Sequence, residues 1–185
     1  MPASLKVSLL IRYFIIATIV NLTAAVAFTT PVIVPQFVFP LKLTIWPGTW
    51  MFFAYFAFLA VGVLGTLGWA GLWDLVRKYF GVTHTNKYLA AAHFSITLLA
   101  IYGETTLMFT VGYLGGGAAL IGFGREVITQ GIIGWMVVPI GIFILLYLIG
   151  TLVGIANIVL TILARNDAVP IAEPLLEKSQ TTLEP

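Results

Sequence analysis

Four apolar stretches, each long enough to cross a lipid bilayer, are the feature that most constrains how this chain can fold. They cover about residues 7–28, 49–73, 88–113 and 132–164, and a helix needs about 20 residues to span the hydrocarbon core of a membrane. Because backbone polar groups inside lipid must be hydrogen-bonded within the protein, spanning segments of this kind are helical. The sequence therefore predicts an all-α integral membrane domain, residues 1–165, built as a bundle of four transmembrane helices.

The composition of the chain excludes a soluble enzyme and a nucleic-acid-binding protein. Hydrophobic residues make up 60% of the sequence and charged residues 9%, whereas a soluble domain has about 45–50% apolar and about 25% charged residues. The formal net charge is only +2, and the basic residues do not form the continuous patch that binds nucleic acid. The expected surroundings of the chain are a lipid bilayer and other integral membrane subunits.

Lys and Arg are distributed unequally between the two ends of the predicted bundle. With four spans, both termini and the loop between the second and third spans lie on one side, and seven of the nine basic residues lie there; the other two are Lys42 and Arg125. Cytoplasmic loops carry an excess of Lys and Arg, so we expect a multi-pass protein of the cell membrane with both termini in the cytoplasm. Residues 166–185 contain three prolines and are predicted to form an extended or disordered cytoplasmic tail.

The two predicted outer loops, residues 29–48 and 114–131, are unusually apolar. The first contains four prolines, and the second has five glycines ahead of Arg125. A loop in water would be polar, so we expect these segments to lie against a protein partner, against each other or in the lipid headgroup region. The cytoplasmic loop at residues 74–87 is polar and contains Gly81, which we expect to end the second helix.

Glycines recur at regular spacing on two of the predicted helices. Small residues let another helix backbone approach closely, which is how transmembrane helices pack without a hydrophobic driving force. We therefore expect these residues to pack helix against helix, with close approach to a bulky cofactor or lipid as the alternative. They are Gly62, Gly65, Gly68 and Gly71 in the second span and Gly150 and Gly154 in the fourth.

Glu104 lies inside the third predicted span, in the half of the membrane away from the cytoplasm. A carboxylate at this depth is costly and usually faces a bundle interior, a partner charge or a water-filled path. His93 lies nearly three helical turns earlier, which places both residues and Thr97 on one helix face but about 16 Å apart along the axis. The alternatives for Glu104 are a proton or cation site, a structural hydrogen bond, or an ion pair with Arg125 or a partner subunit.

Three polar residues within the predicted spans are expected to make specific contacts. Asn21, in the first span, and Asn157, in the fourth, are expected to form hydrogen bonds between helices. His93 is expected either to make a structural hydrogen bond or to ligate haem. The chain has two histidines and no cysteine, so no metal site is predicted, and no phosphate-binding loop or hydrolase motif is present.

Residues 91–103, AAHFSITLLAIYG, resemble a segment of the haem–copper oxidase catalytic subunit and its short four-helix relatives. Those proteins place a His-x-His pair near the start of a helix, followed by apolar residues. His93 matches the first histidine of that pair, whereas Ser95 stands where the second would be. The resemblance implies a degenerate relative that has lost most metal and haem ligation and is retained inside a respiratory complex.

These observations predict a non-catalytic integral membrane subunit that stabilises or scaffolds a larger complex, with a respiratory, oxidase-like redox assembly as the expected setting. The chain alone is not expected to be a catalyst or to bind a cofactor, although haem could belong to the complex. Two other hypotheses remain open. One is a small proton or cation channel or transporter that uses Glu104, and the other is a b-type haem membrane protein in which His93 supplies one axial ligand.

Overall fold

The computed structural model describes residues 4–33 and 47–166 of the chain. It contains four helices long and apolar enough to cross a membrane, here called the first to fourth spans: Val7–Phe28, Thr49–Phe80, Lys87–Leu120 and Val127–Ala164. The prediction of a four-helix membrane protein is therefore confirmed at this level. Most of the predicted outer loop at residues 29–48, and all but the first residue of the predicted tail at residues 166–185, lie outside the described residues.

The second and fourth spans each combine α-helix with a π-helical segment, in which the backbone is wound more loosely. Two very short β-strands precede the first and third spans. The α-helices are Val7–Ile33, Thr49–Ala57, Thr66–Phe80, Lys87–Leu120 and Gly134–Asn166, the π-helical segments are Phe58–Gly65 and Val127–Ile133, and the strands are β1, Ser4–Lys6, and β2, His84–Asn86.

The two strands pair with each other in an antiparallel ribbon. Ser4 lies opposite Asn86, and Lys6 lies opposite His84. The backbone N–H of Val7 then donates to the carbonyl of Thr83 at 3.0 Å, which extends the pairing into the first span. The ribbon places the start of the first span and the start of the third span at the same end of the bundle, called the ribbon end below.

Local signals define the helix ends beside the ribbon. Gly81 ends the second span with a left-handed backbone conformation, φ 60° and ψ 24°, which glycine adopts without steric cost. Asn86 begins the third span, and its side-chain oxygen accepts the backbone N–H groups of Tyr88 and Leu89 at 2.9 and 3.2 Å. The predicted helix stop at Gly81 is confirmed.

The predicted outer loop at residues 114–131 is wrong in its extent. The third span continues to Leu120 and a helix resumes at Val127, so helix takes up both ends of that segment. Two glycines near the end of the third span allow close packing: a Cβ on Gly112 would lie 2.5 Å from the backbone nitrogen of Met51, and one on Gly115 would lie 2.9 Å from the ring of Pro47. Residues 114–120 remain helical because the start of the second span packs directly against this part of the third span.

The four spans pack as neighbours in an up-and-down bundle. The first span lies against the second, the second against the third, and the third makes its most extensive contact with the fourth. Aromatic residues fill the core near the ribbon end, where Trp73, Phe14 and Leu10 are fully buried. Smaller apolar clusters follow at mid-depth, around Phe58 and Ile101, and at the opposite end.

Candidate functional site

A π-helical segment in the second span makes the Gly62 carbonyl available to side chains. The amide nitrogen of Asn21 in the first span donates to this oxygen at 2.5 Å, and the hydroxyl of Thr66 donates to it at 2.6 Å. The hydroxyl of Tyr102 in the third span donates to the side-chain oxygen of Asn21 at 2.6 Å. π-Helical geometry disturbs the regular ladder of backbone hydrogen bonds, so the Gly62 carbonyl can accept side-chain donors. Through Asn21, this carbonyl links the first, second and third spans. Asn21 makes the hydrogen bond between helices that the sequence predicted, whereas Tyr102 was not among the residues predicted to take part in a site.

A second polar cluster ties the ribbon to the fourth span. The hydroxyl of Thr85 in β2 donates to the side-chain oxygen of Asn157 at 3.0 Å and lies 2.8 Å from the hydroxyl of Thr161. Asn157 thus bonds to a strand residue of the loop between the second and third spans. Its amide nitrogen is buried and has no hydrogen-bond partner in the structure.

His93 is fully enclosed where the second, third and fourth spans meet. Its Nδ1 lies 2.7 Å from the carbonyl oxygen of Gly150, and the hydroxyl of Thr97 lies 3.4 Å from the same nitrogen. A carbonyl can only accept, so we assign the ring proton to Nδ1 and leave Nε2 as an acceptor. The rings of Trp69 and Phe14 lie against the imidazole, with centroids 4.2 and 5.3 Å away.

Gly150 and Gly154 of the fourth span make room for this histidine. A Cβ on Gly154 would lie 2.7 Å from Cε1 and Nδ1 of His93 and 2.9 Å from the indole of Trp69. A Cβ on Gly150 would lie 2.9 Å from the hydroxyl of Thr97. The Gly150–Gly154 pair therefore receives the face of the third span that carries His93 and Thr97.

The four glycines of the second span divide into two pairs. A Cβ on Gly62 would lie 3.2 Å from Ile101 in the third span, and one on Gly65 would lie 3.5 Å from the hydroxyl of Tyr147 in the fourth. Gly68 and Gly71 are exposed, and nothing lies within 4 Å of the position that a Cβ would take on either. Within the described part of the chain, only the first pair packs against other spans.

Glu104 is half-buried near the middle of the third span, between the ribbon end and the opposite end of the bundle. The ion pairs within residues 4–33 and 47–166 are those of Asp74 with Arg77 and Lys78, so the structure does not bring Glu104 into an ion pair with Arg125. His93 and Glu104 share the third span but belong to different surroundings.

His93 has the protonation pattern of an axial haem ligand but not the space that a haem needs beside it. A histidine that donates through Nδ1 to a backbone carbonyl presents Nε2 in the form that binds a metal. The rings of Phe14 and Trp69 stand against the imidazole, however, and the side chain is 0% exposed. A planar macrocycle does not fit beside His93 in this packing. No group of three or more potential metal ligands was found among the described residues.

Comparison of the chain with protein-family models, with curated proteins and with solved structures found no match.

Proposed function

We propose that this chain is a non-catalytic integral membrane subunit that stabilises a larger membrane complex. The observation that carries the proposal is Glu104. A carboxyl group at membrane depth is retained where it meets a partner, since leaving it without one in lipid is costly. The described part of this chain provides Glu104 with no cation, and we propose that a neighbouring subunit supplies the group that it meets.

The polar groups of the bundle interior support a structural role. Asn21, Tyr102 and Thr66 are all engaged around the Gly62 carbonyl, and such bonds hold transmembrane helices together. A transporter would instead be expected to place polar groups along an open path near the midplane. The interior polar side chains around the Gly62 carbonyl connect spans, which suits a scaffold.

The outward side of the second span supports a partner contact. Gly68 and Gly71 leave open space beside the helix, and Ala57 and Ala60 line a shallow groove of about 690 Å³ farther along the same span. Small residues on an outward face permit the close approach of another transmembrane helix. This face is the proposed contact with other integral membrane subunits.

The setting that we propose for the complex is a respiratory, oxidase-like redox assembly in the cell membrane. This part of the proposal rests on the resemblance of residues 91–103 to the haem–copper oxidase catalytic subunit. We further propose that the ribbon end and both termini are cytoplasmic. Lys6, Arg77 and Lys78 lie at or beside the ribbon, and cytoplasmic segments are enriched in such residues.

The test is extraction from native membranes in a mild detergent, followed by a native gel, mass spectrometry and an absorption spectrum of the band that contains this chain. We expect migration with other membrane subunits at several times the 20.1 kDa mass of the chain. Glu104→Gln should reduce the fraction found in that band. Glu126→Gln, at an exposed position between the third and fourth spans, is the matched control and should leave it unchanged.

Migration of the wild-type chain as a small, colourless homo-oligomer would overturn the proposal. The alternative to examine would then be a proton or cation pathway through Glu104. Purified chain in liposomes would have to conduct protons or cations, and Glu104→Gln would have to abolish that flux while Glu126→Gln preserved it. A band with partner subunits but no haem would retain the scaffold role and remove the redox setting.

A further inference from the structure

Three buried nitrogen atoms in the ribbon half of the bundle have no hydrogen-bond partner among residues 4–33 and 47–166. They are Nε2 of His93, Nε1 of Trp73 and Nδ2 of Asn157, and each of the three residues is 0% exposed. Buried polar groups in folded proteins are nearly always hydrogen-bonded, to protein or to ordered water. Three orphaned atoms in one region therefore call for a common explanation.

The three side chains come from three different spans and lie within about one helical turn of the same level of the bundle. Gly154 marks that level, because a Cβ there would touch both His93 and Trp69. Trp73 follows Trp69 by about one helical turn, and Asn157 follows Gly154 by about one turn. Both therefore lie slightly nearer the ribbon end than His93 does.

Helix direction brings the side chains back towards one another. Helical side chains lean towards the N-terminus of their own helix. The third span starts at the ribbon end, so His93 leans towards the ribbon. The second span starts at the opposite end, so Trp73 leans away from the ribbon and towards the level of His93. Asn157 lies between that level and the ribbon, where its side-chain oxygen accepts the hydroxyl of Thr85.

The donor and acceptor properties of the three atoms match a water molecule. Nε2 of His93 is an acceptor, because Nδ1 donates to the carbonyl of Gly150. Nε1 of Trp73 and Nδ2 of Asn157 are donors. A water molecule donates to one and accepts from two, and buried waters typically make about three such bonds. A cation would find only one acceptor here, and an anion would find no positive charge.

A cleft at the ribbon end reaches a hydrogen-bond partner of Asn157. Its volume is about 440 Å³, and it lies between the ribbon and the third and fourth spans, with Thr85 and Thr161 in its lining. The hydroxyl of Thr85 bonds directly to the side chain of Asn157. Asn157 is thus one hydrogen bond away from the lining of the cleft.

We propose that His93, Trp73 and Asn157 together bind an internal water molecule that exchanges with the ribbon-end cleft through Asn157. The site is a hydration site inside the membrane bundle, and its occupant is water. It is independent of the proposed subunit role, because all of its ligands come from this chain.

The experiment is solid-state NMR of the full chain in lipid bilayers, with ¹⁵N-labelled histidine and tryptophan and detection of magnetisation transfer from water. The chain has two histidines and five tryptophans, so each signal can be assigned by substitution. We expect transfer to the indole N–H of Trp73 and to the ring of His93, with the His93 proton on Nδ1. The exposed His84 in the ribbon is the positive reference.

Asn157→Leu removes one donor at similar volume and should abolish transfer to both Trp73 and His93. Asn21→Leu makes the same change in the polar network around the Gly62 carbonyl and should leave both transfers intact. Absence of transfer to Trp73 and His93 in the wild-type chain, with His84 responding, would overturn the proposal. A His93 proton on Nε2 would also overturn it. So would transfer from water at the wild-type level in an Asn157→Leu chain that is folded. The wild-type measurement decides the matter even if Asn157→Leu does not fold.

Discussion

His93 Nδ1 lies 2.7 Å from the carbonyl oxygen of Gly150, and this contact joins the third span to the fourth in a part of the core that contains no charge. The carbonyl belongs to the regular backbone of the fourth span, so it accepts a side-chain proton in addition to its helical bond. This hydrogen bond requires the third and fourth spans to lie close together, and Gly150 and Gly154 permit this because they have no side chain. Four predictions follow from this packing and from the surfaces around it.

Gly154→Ala should destabilise the isolated chain. The added Cβ would lie 2.7 Å from the imidazole of His93 and 2.9 Å from the indole of Trp69, and overpacking of this kind costs about 1–3 kcal/mol. The measurement is reversible unfolding of the purified chain in detergent. Gly71→Ala is the matched control, since nothing lies within 4 Å of its Cβ position; it should be neutral or slightly stabilising. Equal effects of the two changes would contradict the packing described for Gly154.

Tyr102→Phe should remove the bond to Asn21 and reduce stability by about 0.5–1.5 kcal/mol, the usual net value of one hydrogen bond. A double-mutant cycle with Asn21→Leu should show coupling between the two positions, because each single change already breaks the contact. Tyr79→Phe, at a residue that is 80% exposed, is the control and should cost little. Additive effects of Tyr102→Phe and Asn21→Leu would show that the bond does not contribute.

Thr85→Val should loosen the ribbon without unfolding the spans. The change keeps the volume of the side chain but removes the hydroxyl that meets Asn157 and Thr161. Hydrogen–deuterium exchange of the backbone at Ser4–Lys6 and His84–Asn86 should become faster, because local opening no longer has to break the buried bonds. Thr83→Val, at an exposed position, should leave the exchange rate of the Ser4–Lys6 segment close to that of the wild-type chain.

Gly71→Leu should weaken assembly of the proposed complex while the isolated chain remains folded. The leucine would project from the outward face of the second span, where a partner helix is proposed to pack. Gly141→Leu makes the same change on the fourth span, also with nothing within 4 Å of the Cβ position, and is the control. Native gels of extracted membranes measure the assembled fraction. An equal fraction for both variants would place the partner contact elsewhere.

Hydropathy predicted the four spans because burial in lipid depends on length and composition, which a single sequence displays directly. The glycine-rich end of the third span was misread as loop, because glycine is unfavourable in a helix unless another backbone lies close by. That neighbour is the start of the second span, at Pro47 and Met51. Its approach depends on which spans are neighbours, which no local pattern reveals.

For the candidate site, the sequence likewise predicted some of the residues but not their packing partners. Helical periodicity placed His93 and Thr97 on one face, but the sequence could not show that this face packs on Gly150 and Gly154. The sequence predicted that Asn21 bonds to another helix but not that its partner is the Gly62 carbonyl, because a π-helical segment arises from packing and has no sequence signature of its own. The three-residue strands are too short for an alternating pattern to be recognised.

The ribbon also constrains the order in which the bundle can be completed. Ser4 pairs with Asn86, so about 80 residues, including the whole first helical hairpin, lie between the two strands. Closing a loop of this length carries an entropic cost that must be met before the strand contacts form. During synthesis the N-terminal strand therefore stays unpaired until the chain has been made as far as Asn86, beyond the whole second span. Its pairing requires the first two spans to exist but does not depend on the third.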